Sequence, residues 1–485
     1  MQAIAASALP KLSAILPHAQ ASLAWALARL ASPDAPLFDA IAASARSLLD
    51  EKVPRLAGRN VGMLLWSFSR SGNLPHAWTL LEASKAAGQH LDGLSLSGVA
   101  QACRELSLPR AEVQLLRQHF SRGAMSSVSL DASAMLLAEA GAAAEALLLL
   151  RSGAEAGLAG KVSWRVWVAC GGGASELEPS DGLRVELGEP YSKELRVLAH
   201  VLATAAPGDA ASACAAVERF GEGTLPGTSH WLKIAGGAKA NLLVSCAQWA
   251  PQQGVVLEVG TYCGYSAARL ATARAAQRRA GGGPLVVTLE VDAAHALIAR
   301  SLLAYAGLAH RVEVLTGHSE DVLPWLVGRM QERVRPNAFI DMVFLDQRGS
   351  RYEADLEVLE RAGALSPGAV VVADNVLKPG APLFLWKVTQ GGYATEVFSV
   401  PEFAMTGVED WMTVSVHQPE QGPGAAGDPP YELRVLAWKA EQMRARAHQP
   451  DRGGSGVGFV EWADFAQEMR RSFASAGFEA EPLET

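Results

Sequence analysis

Two apolar runs end in oxygen-bearing side chains. Asp346 closes DMVFLD (341–346), and Asp374 with Asn375 closes AVVVADN (369–375). On neighbouring strands, these two carboxylates and one amide carbonyl would converge on one point. With waters they make a hard, six-coordinate donor set that suits Mg2+ better than Zn2+. A lone aspartate at a strand end is more often a turn or cap residue; the coincidence of Asp346 with the Asp374–Asn375 pair is what favours the metal reading. A second group follows VVLEVG (255–260), in the order Glu258, Gly260, Tyr262, Gly264, Ser266. Gly260 and Gly264 let the backbone turn tightly against a ligand before a helix opens at 264 or 265. A third glycine and a GK[ST] sequence are both missing, which disfavours pyrophosphate or triphosphate binding. Glu258 puts a carboxylate beside this turn and suits a ligand that carries a cation. Glu290, 32 residues further on, ends the next apolar run and can accept both ribose hydroxyls of a nucleoside. A cationic centre plus a ribose describes S-adenosylmethionine better than NAD. The alternative is a helix cap at Glu258 and a solvated Glu290.

The elements that must position these groups are legible as near-continuous Val/Leu runs. They lie at 255–260, 285–292, 312–317, 341–346 and 369–375, each followed by a helix-length segment, with WMTVSV (411–416) as a late strand. This alternation predicts a parallel sheet covered on both faces, with ligands gathered beyond the carboxyl ends of its strands. Residues 1–170 have a different rhythm, with apolar spacings of three and four. Trp25 and Trp66 recur 41 residues apart, and weaker copies follow at 94–106 and 130–150. A helical pair repeating at this period predicts an α-solenoid, with a plain packed helical domain as the alternative. GGGASELEPSDG (171–182) and QPEQGPGAAGDPP (418–430) are Gly/Pro-rich breaks. The expected division is therefore a helical repeat domain over 1–170, a linker over 171–187, an α/β domain over 188–417, a linker over 418–430 and a helical tail over 431–485.

Composition narrows the function. The 485 residues carry a net charge of −8. Residues 1–170 hold 15 basic against 12 acidic side chains, and the remainder 27 against 38. Such a surface is too sparsely basic for strong nucleic-acid binding. A run of about 18 uncharged apolar residues is missing, so no transmembrane helix is expected. The five cysteines are scattered and lack CxxC spacing, which fits a reducing compartment and argues against a disulfide framework or zinc site. Cytoplasmic localisation is expected. An organellar transit segment is the alternative, since Lys11 and Arg29 precede the first acid, Asp34. Cys263 has no neighbouring histidine in sequence and reads as a packing residue.

The stretch from about 191 to 417 resembles the catechol O-methyltransferases. The resemblance is carried by WLKIAGGAKA (231–240), VLEVGTYCGYSAARLA (256–271), LEVD (289–292), MVFLDQRGSRY (342–352) and VVADNVLKPGAP (371–382). It implies a seven-stranded Rossmann-like methyltransferase fold, S-adenosylmethionine and Mg2+ as cofactors, and a small-molecule catechol as partner. It further implies that Asp346, Asp374 and Asn375 ligate the metal. Ala235, Glu258, Gly260, Tyr262, Gly264, Ser266, Glu290, Ser319 and Asp346 would hold the donor. Trp231 and Pro379 would grip the catechol ring with Asn375, and Glu402 in VPEFAM would bind the second hydroxyl. The N-terminal repeats loosely resemble pentatricopeptide and octotricopeptide repeats, which implies an RNA or protein partner.

The chain departs from the family at two places. Where the family follows its first metal aspartate with His-Trp-Lys, this chain reads Gln347, Arg348, Gly349, so the lysine general base is missing. Lys378 and Lys233 are the candidates to replace it, and restoring Gly349→Lys is expected to raise turnover. Glu320 stands where the family carries Gln near the adenine. The expected activity is Mg2+-dependent methyl transfer to one hydroxyl of a catechol-type diol. The rivals are transfer to other vicinal-hydroxyl phenolics of caffeoyl type, and an RNA-binding or scaffolding repeat protein with a degenerate methyltransferase domain.

Overall fold

The computed structural model describes residues 17–29, 35–50, 58–71, 73–87, 192–223, 232–276, 284–333, 339–405, 407–421, 427–447, 457 and 459–483. Trp231, the linker at 171–187 and the weaker repeat copies at 94–106 and 130–150 lie outside these residues. By contact the chain divides into two units. One comprises 1–199 with 290–301 and 315–318; the other comprises 200–289, 302–314 and 319–485.

In the first unit, four helices run Pro17–Arg29 (α1), Ala35–Asp50 (α2), Gly58–Arg70 (α3) and Leu74–Ala86 (α4). Their apolar stripes close on one another around Leu37, Phe38, Ile41, Leu64, Leu65 and Phe68. Trp25 and Trp66, the residues that recur in the sequence, lie with ring centroids 6.4 Å apart. Two helix pairs are thus described. The proposed solenoid also needed the copies between 94 and 150, so the structure does not establish a repeat array.

The α/β part begins with Ser192–Thr204 (α5), Ala210–Glu222 (α6) and Ala238–Trp249 (α7). Strands and helices then alternate: Val255–Val259 (β1), Tyr265–Ala275 (α8), Val286–Glu290 (β2), Ala293–Tyr305 (α9), Val312–Thr316 (β3), Ser319–Arg333 (α10) and Ile340–Leu345 (β4). Next come Tyr352–Arg361 (α11), Leu365–Ala373 (β5), Pro382–Thr389 (α12), Tyr393–Pro401 (β6) and Glu409–His417 (β7). Two C-terminal helices, Tyr431–Ala447 (α13) and Phe459–Ser475 (α14), precede the two-residue strand Glu481–Pro482 (β8).

The sheet order is β3-β2-β1-β4-β5-β7-β6-β8. β1, β2, β4 and β5 pair in parallel, and β7 runs antiparallel between β5 and β6. The central strands β2 and β4 are buried at every position, which is why they read as continuous apolar runs in the sequence. Strand order reverses between β1 and β4, the switch point at which α/β sheets open a crevice. Among the described residues the sheet has eight strands rather than the expected seven. The extra one, β8, pairs in parallel with β6 through Phe398 and Ser399. It is short, acidic and proline-containing, which suits a sheet edge and leaves almost no periodicity to read.

Candidate functional site

Register brings the first group together. Leu345 pairs with Ala373, so Asp346 and Asp374 emerge side by side from adjacent strands. The Asp346 N–H donates to the Val259 carbonyl at 2.9 Å, and the Asp374 N–H to the Leu345 carbonyl at 3.0 Å. Asn375 adopts the left-handed conformation (φ 57°), which asparagine tolerates better than most residues. Its side-chain amide donates to Asp410 at 2.9 Å.

Two residues of this cluster were not singled out in the sequence. Lys239 is fully buried on α7 and reaches three acids: Asp374 at 2.8 Å, Glu402 at 3.0 Å and Asp410 at 3.1 Å. Burial disfavours its charge, but the three carboxylates hold its pKa well above the ordinary lysine value. It is therefore a fixed cation and a poor base. Asp410 also accepts the backbone N–H groups of Lys378 at 3.1 Å and Trp411 at 2.8 Å. In the sequence Asp410 is one of two acids just ahead of the WMTVSV run, and Lys239 is a lysine flanked by small and apolar residues.

The charges do not balance. Burial first, then Asp374, raises the Asp346 pKa well above the ordinary carboxylate range; Lys239 opposes this, and Glu258 and Glu402 add to it. Burial likewise pushes Asp374 up to about 6, with Lys239 opposing and Asp410 and Glu402 adding. Four acids around one lysine leave negative charge that a divalent cation would offset. Asp346, Asp374 and Asn375 offer it only hard oxygen donors, so these residues fit Mg2+. Among the described residues, His, Cys, Asp and Glu side chains form no three-membered metal-binding group; this set needs the asparagine amide as its third donor.

The second group lies at the end of β1. Glu258 is fully buried and accepts from the Thr288 hydroxyl at 2.5 Å. Gly260 has φ 108°, and an added Cβ would stand 2.5 Å from the Asp346 carbonyl oxygen, so the two loops meet only because this position has no side chain. Tyr262 takes a left-handed φ of 48° in the same turn. Gly264 caps α8, whose first turn carries a buried Ser266. The Ser319 hydroxyl bonds Asp355, which also accepts from Gln347 at 2.8 Å and so ties α10 to the Asp346 loop. Glu290 is the last residue of β2 and its carboxylate accepts the Asp292 N–H at 2.9 Å. Cys263 is buried.

On the acceptor side, Glu402 is buried and tied to α7 through Lys239. Ala235 lies buried in the strand-free segment before α7. Pro379 is half-buried in a turn over Val376–Gly380. Of the candidate bases, Lys233 is exposed, and Lys378 is anchored through its backbone to Asp410. Glu320 pairs with Arg351 at 3.3 Å.

A methyltransferase-domain family matches residues 257–376, which hold the strand ends just described, and so gives the class of this Rossmann-like fold. Catechol O-methyltransferase from Mus musculus is 34% identical over 238 residues, which are 48% of this chain and 81% of that protein. The Sus scrofa enzyme of the same name is 35% identical over 195 residues, 40% of this chain and 96% of that one. Transmembrane O-methyltransferase from Homo sapiens is 36% identical over 193 residues, 40% of this chain and 60% of that protein. The chain belongs to the catechol O-methyltransferase family. Among its described residues, no helix is long and apolar enough to cross a membrane.

Proposed function

We propose that this O-methyltransferase moves the methyl group of S-adenosylmethionine to one hydroxyl of a catechol-type diol, with Mg2+ as the second cofactor. The observation that carries the reading is the pairing of Asp346 with Asp374 and Asn375 on adjoining strand ends, backed by Glu402 through Lys239. In this reading Glu258 faces the cationic end of the donor, Glu290 takes the ribose hydroxyls, and Ser266 and Ser319 add hydrogen bonds. Asp346, Asp374 and Asn375 would hold the metal, which when bound lowers the pKa of a chelated hydroxyl. Glu402 accepts the hydrogen of the second hydroxyl, and Pro379 walls the ring. The acceptor oxygen attacks the methyl carbon in line with the departing sulfur. The C–S bond breaks, its electron pair stays on sulfur, and S-adenosylhomocysteine leaves. The proton of the attacking hydroxyl goes to solvent or to Lys378 in its neutral form. Much of the rate would come from holding oxygen and methyl in line.

The test is transfer of labelled methyl to simple catechols and to caffeoyl-type phenolics, with magnesium present or chelated. Catechol methylation that disappears on chelation supports the reading. Methylation untouched by chelation removes Mg2+ from it, and a preference for the caffeoyl-type acceptors shifts the substrate.

A further inference from the structure

The loop after Asp346 and the turn after Asn375 are held by residues far away in sequence. An added Cβ at Gly349 would stand 2.6 Å from Arg444 Nη2 on α13, 2.8 Å from the Gly380 carbonyl oxygen and 3.2 Å from the Ala381 side chain. Arg444 is buried, and the same Nη2 donates to the Gly380 carbonyl. One helix further on, buried Met469 on α14 fills the space where a Gly380 side chain would be. Arg348 forms a two-bond ion pair with Glu441, one turn before Arg444 on α13. Arg470 pairs with Glu409, the residue before Asp410, and Phe473 stacks on Trp411, the residue after it, at 5.4 Å and 27°.

Both C-terminal helices thus grip the three pieces of backbone that present Asp346, Asn375 with Pro379, and Asp410. Among the described residues of these two helices, Arg444 is in contact with two of them. Its burial has a cost, since desolvation brings its pKa down to about 10. A buried guanidinium that donates to a turn carbonyl and fills the space over a glycine acts as a tie-rod between loop and turn.

We propose that Arg444 is a positioning residue for the methyl acceptor. It locks the 347–351 loop to the 376–380 turn and so fixes the acceptor wall against the metal-site oxygens. The chain at Gly349 is then adapted to this packing, and the expectation that Gly349→Lys raises turnover is reversed: a Cβ there would meet the Gly380 backbone carbonyl as well as Arg444. This inference rests on the O-methyltransferase reading for its catalytic consequence, though not for the tie itself.

The experiment uses the full chain with Arg444→Met, which keeps the apolar stem, Arg444→Lys and Gly349→Lys, alone and with Arg444→Ala. Hydrogen exchange reads the tie directly. In Arg444→Met, the Gly380 and Ala381 amides, bonded to the Asn375 and Val376 carbonyls at 3.1 and 3.0 Å, should exchange roughly tenfold faster or more. With a catechol acceptor, KM for the acceptor should rise roughly tenfold to a hundredfold, with donor Kd within about twofold of wild type. The ratio of the two monomethyl products should move towards equality. Arg444→Lys should recover part of both effects. Gly349→Lys should lose activity, and Gly349→Lys with Arg444→Ala should regain some of it, a non-additive pair. Unchanged exchange at Gly380 and Ala381 in Arg444→Met overturns the tie, even if the enzyme methylates nothing tested. Faster exchange with an unchanged product ratio and acceptor KM overturns the positioning role. A parallel loss of donor affinity also overturns it, by showing a general loosening of the fold. Wild type inert towards catechols sinks the functional reading, and the exchange data still decide the tie.

Discussion

Among the described residues, Lys239 is the lysine paired with the acid cluster, and each of its three partners is itself buried. Removing one member of a buried ionic group strands the others, at a cost of about 3–5 kcal/mol. Lys239→Met should therefore lower stability by about that amount in urea denaturation. A midpoint equal to wild type would show that Asp374, Glu402 and Asp410 do not depend on it. The raised Asp374 pKa gives a second outcome. A carboxyl whose folded pKa lies near 6 rather than in the ordinary range favours the fold while protonated, and that contribution fades as pH rises through about 6. Added Mg2+ competes with those protons. The rise in Tm on adding magnesium should thus be larger near about pH 7.5 than near about pH 5. An equal rise at both pH values would remove these carboxylates from the metal site. The strand-end acids were legible in the sequence because each closes an apolar run. Lys239 was not, because a lysine among small residues looks solvated until another element closes over it.

At the level of elements, the parallel strands announced themselves and the edges did not. β6 is buried at Tyr393 and Val400 alone, and without a continuous Val/Leu run it gives no clear strand signal. The tail after 430 was readable as helices but not as part of the site, because its contacts span 60 residues or more. Those contacts have a weight that can be measured. Phe473 is fully buried on α14, stacked on Trp411 and in edge contact with Phe478 at 6.2 Å. Phe473→Ala should cost about 3–5 kcal/mol, the usual range for emptying an aromatic site. Chemical denaturation followed by tryptophan fluorescence checks it, and a loss under about 1 kcal/mol would mean that α14 hangs loosely on the sheet.

For the molecule as a whole, the charge asymmetry and the change of rhythm near residue 170 suggest two kinds of sequence; the structure describes an apolar cluster within residues 21–87 and, as a separate feature, an eight-stranded sheet. What the sequence did not convey is how far the catalytic fold extends. The resemblance stops near 417, and a chain cut there would retain every residue assigned to donor, metal and acceptor. It would also lose Arg444 and Met469 from the Gly380 turn, Phe473 from Trp411, Phe478 from Trp386 and the edge pairing of β8 on β6. Apolar surface now covered by two helices would face water, at roughly 25 cal/mol for each Å² uncovered. A chain ending after His417 should therefore unfold at a markedly lower temperature than one ending after Leu483, and should bind a hydrophobic dye while still folded. The Leu483 N–H donates to the Ser399 carbonyl at 3.0 Å, so the longer chain keeps the whole edge and should match the full protein. Equal melting temperatures for the two chains would mean that α13 and α14 contribute no net stability, and that the site's loops hold their shape without them.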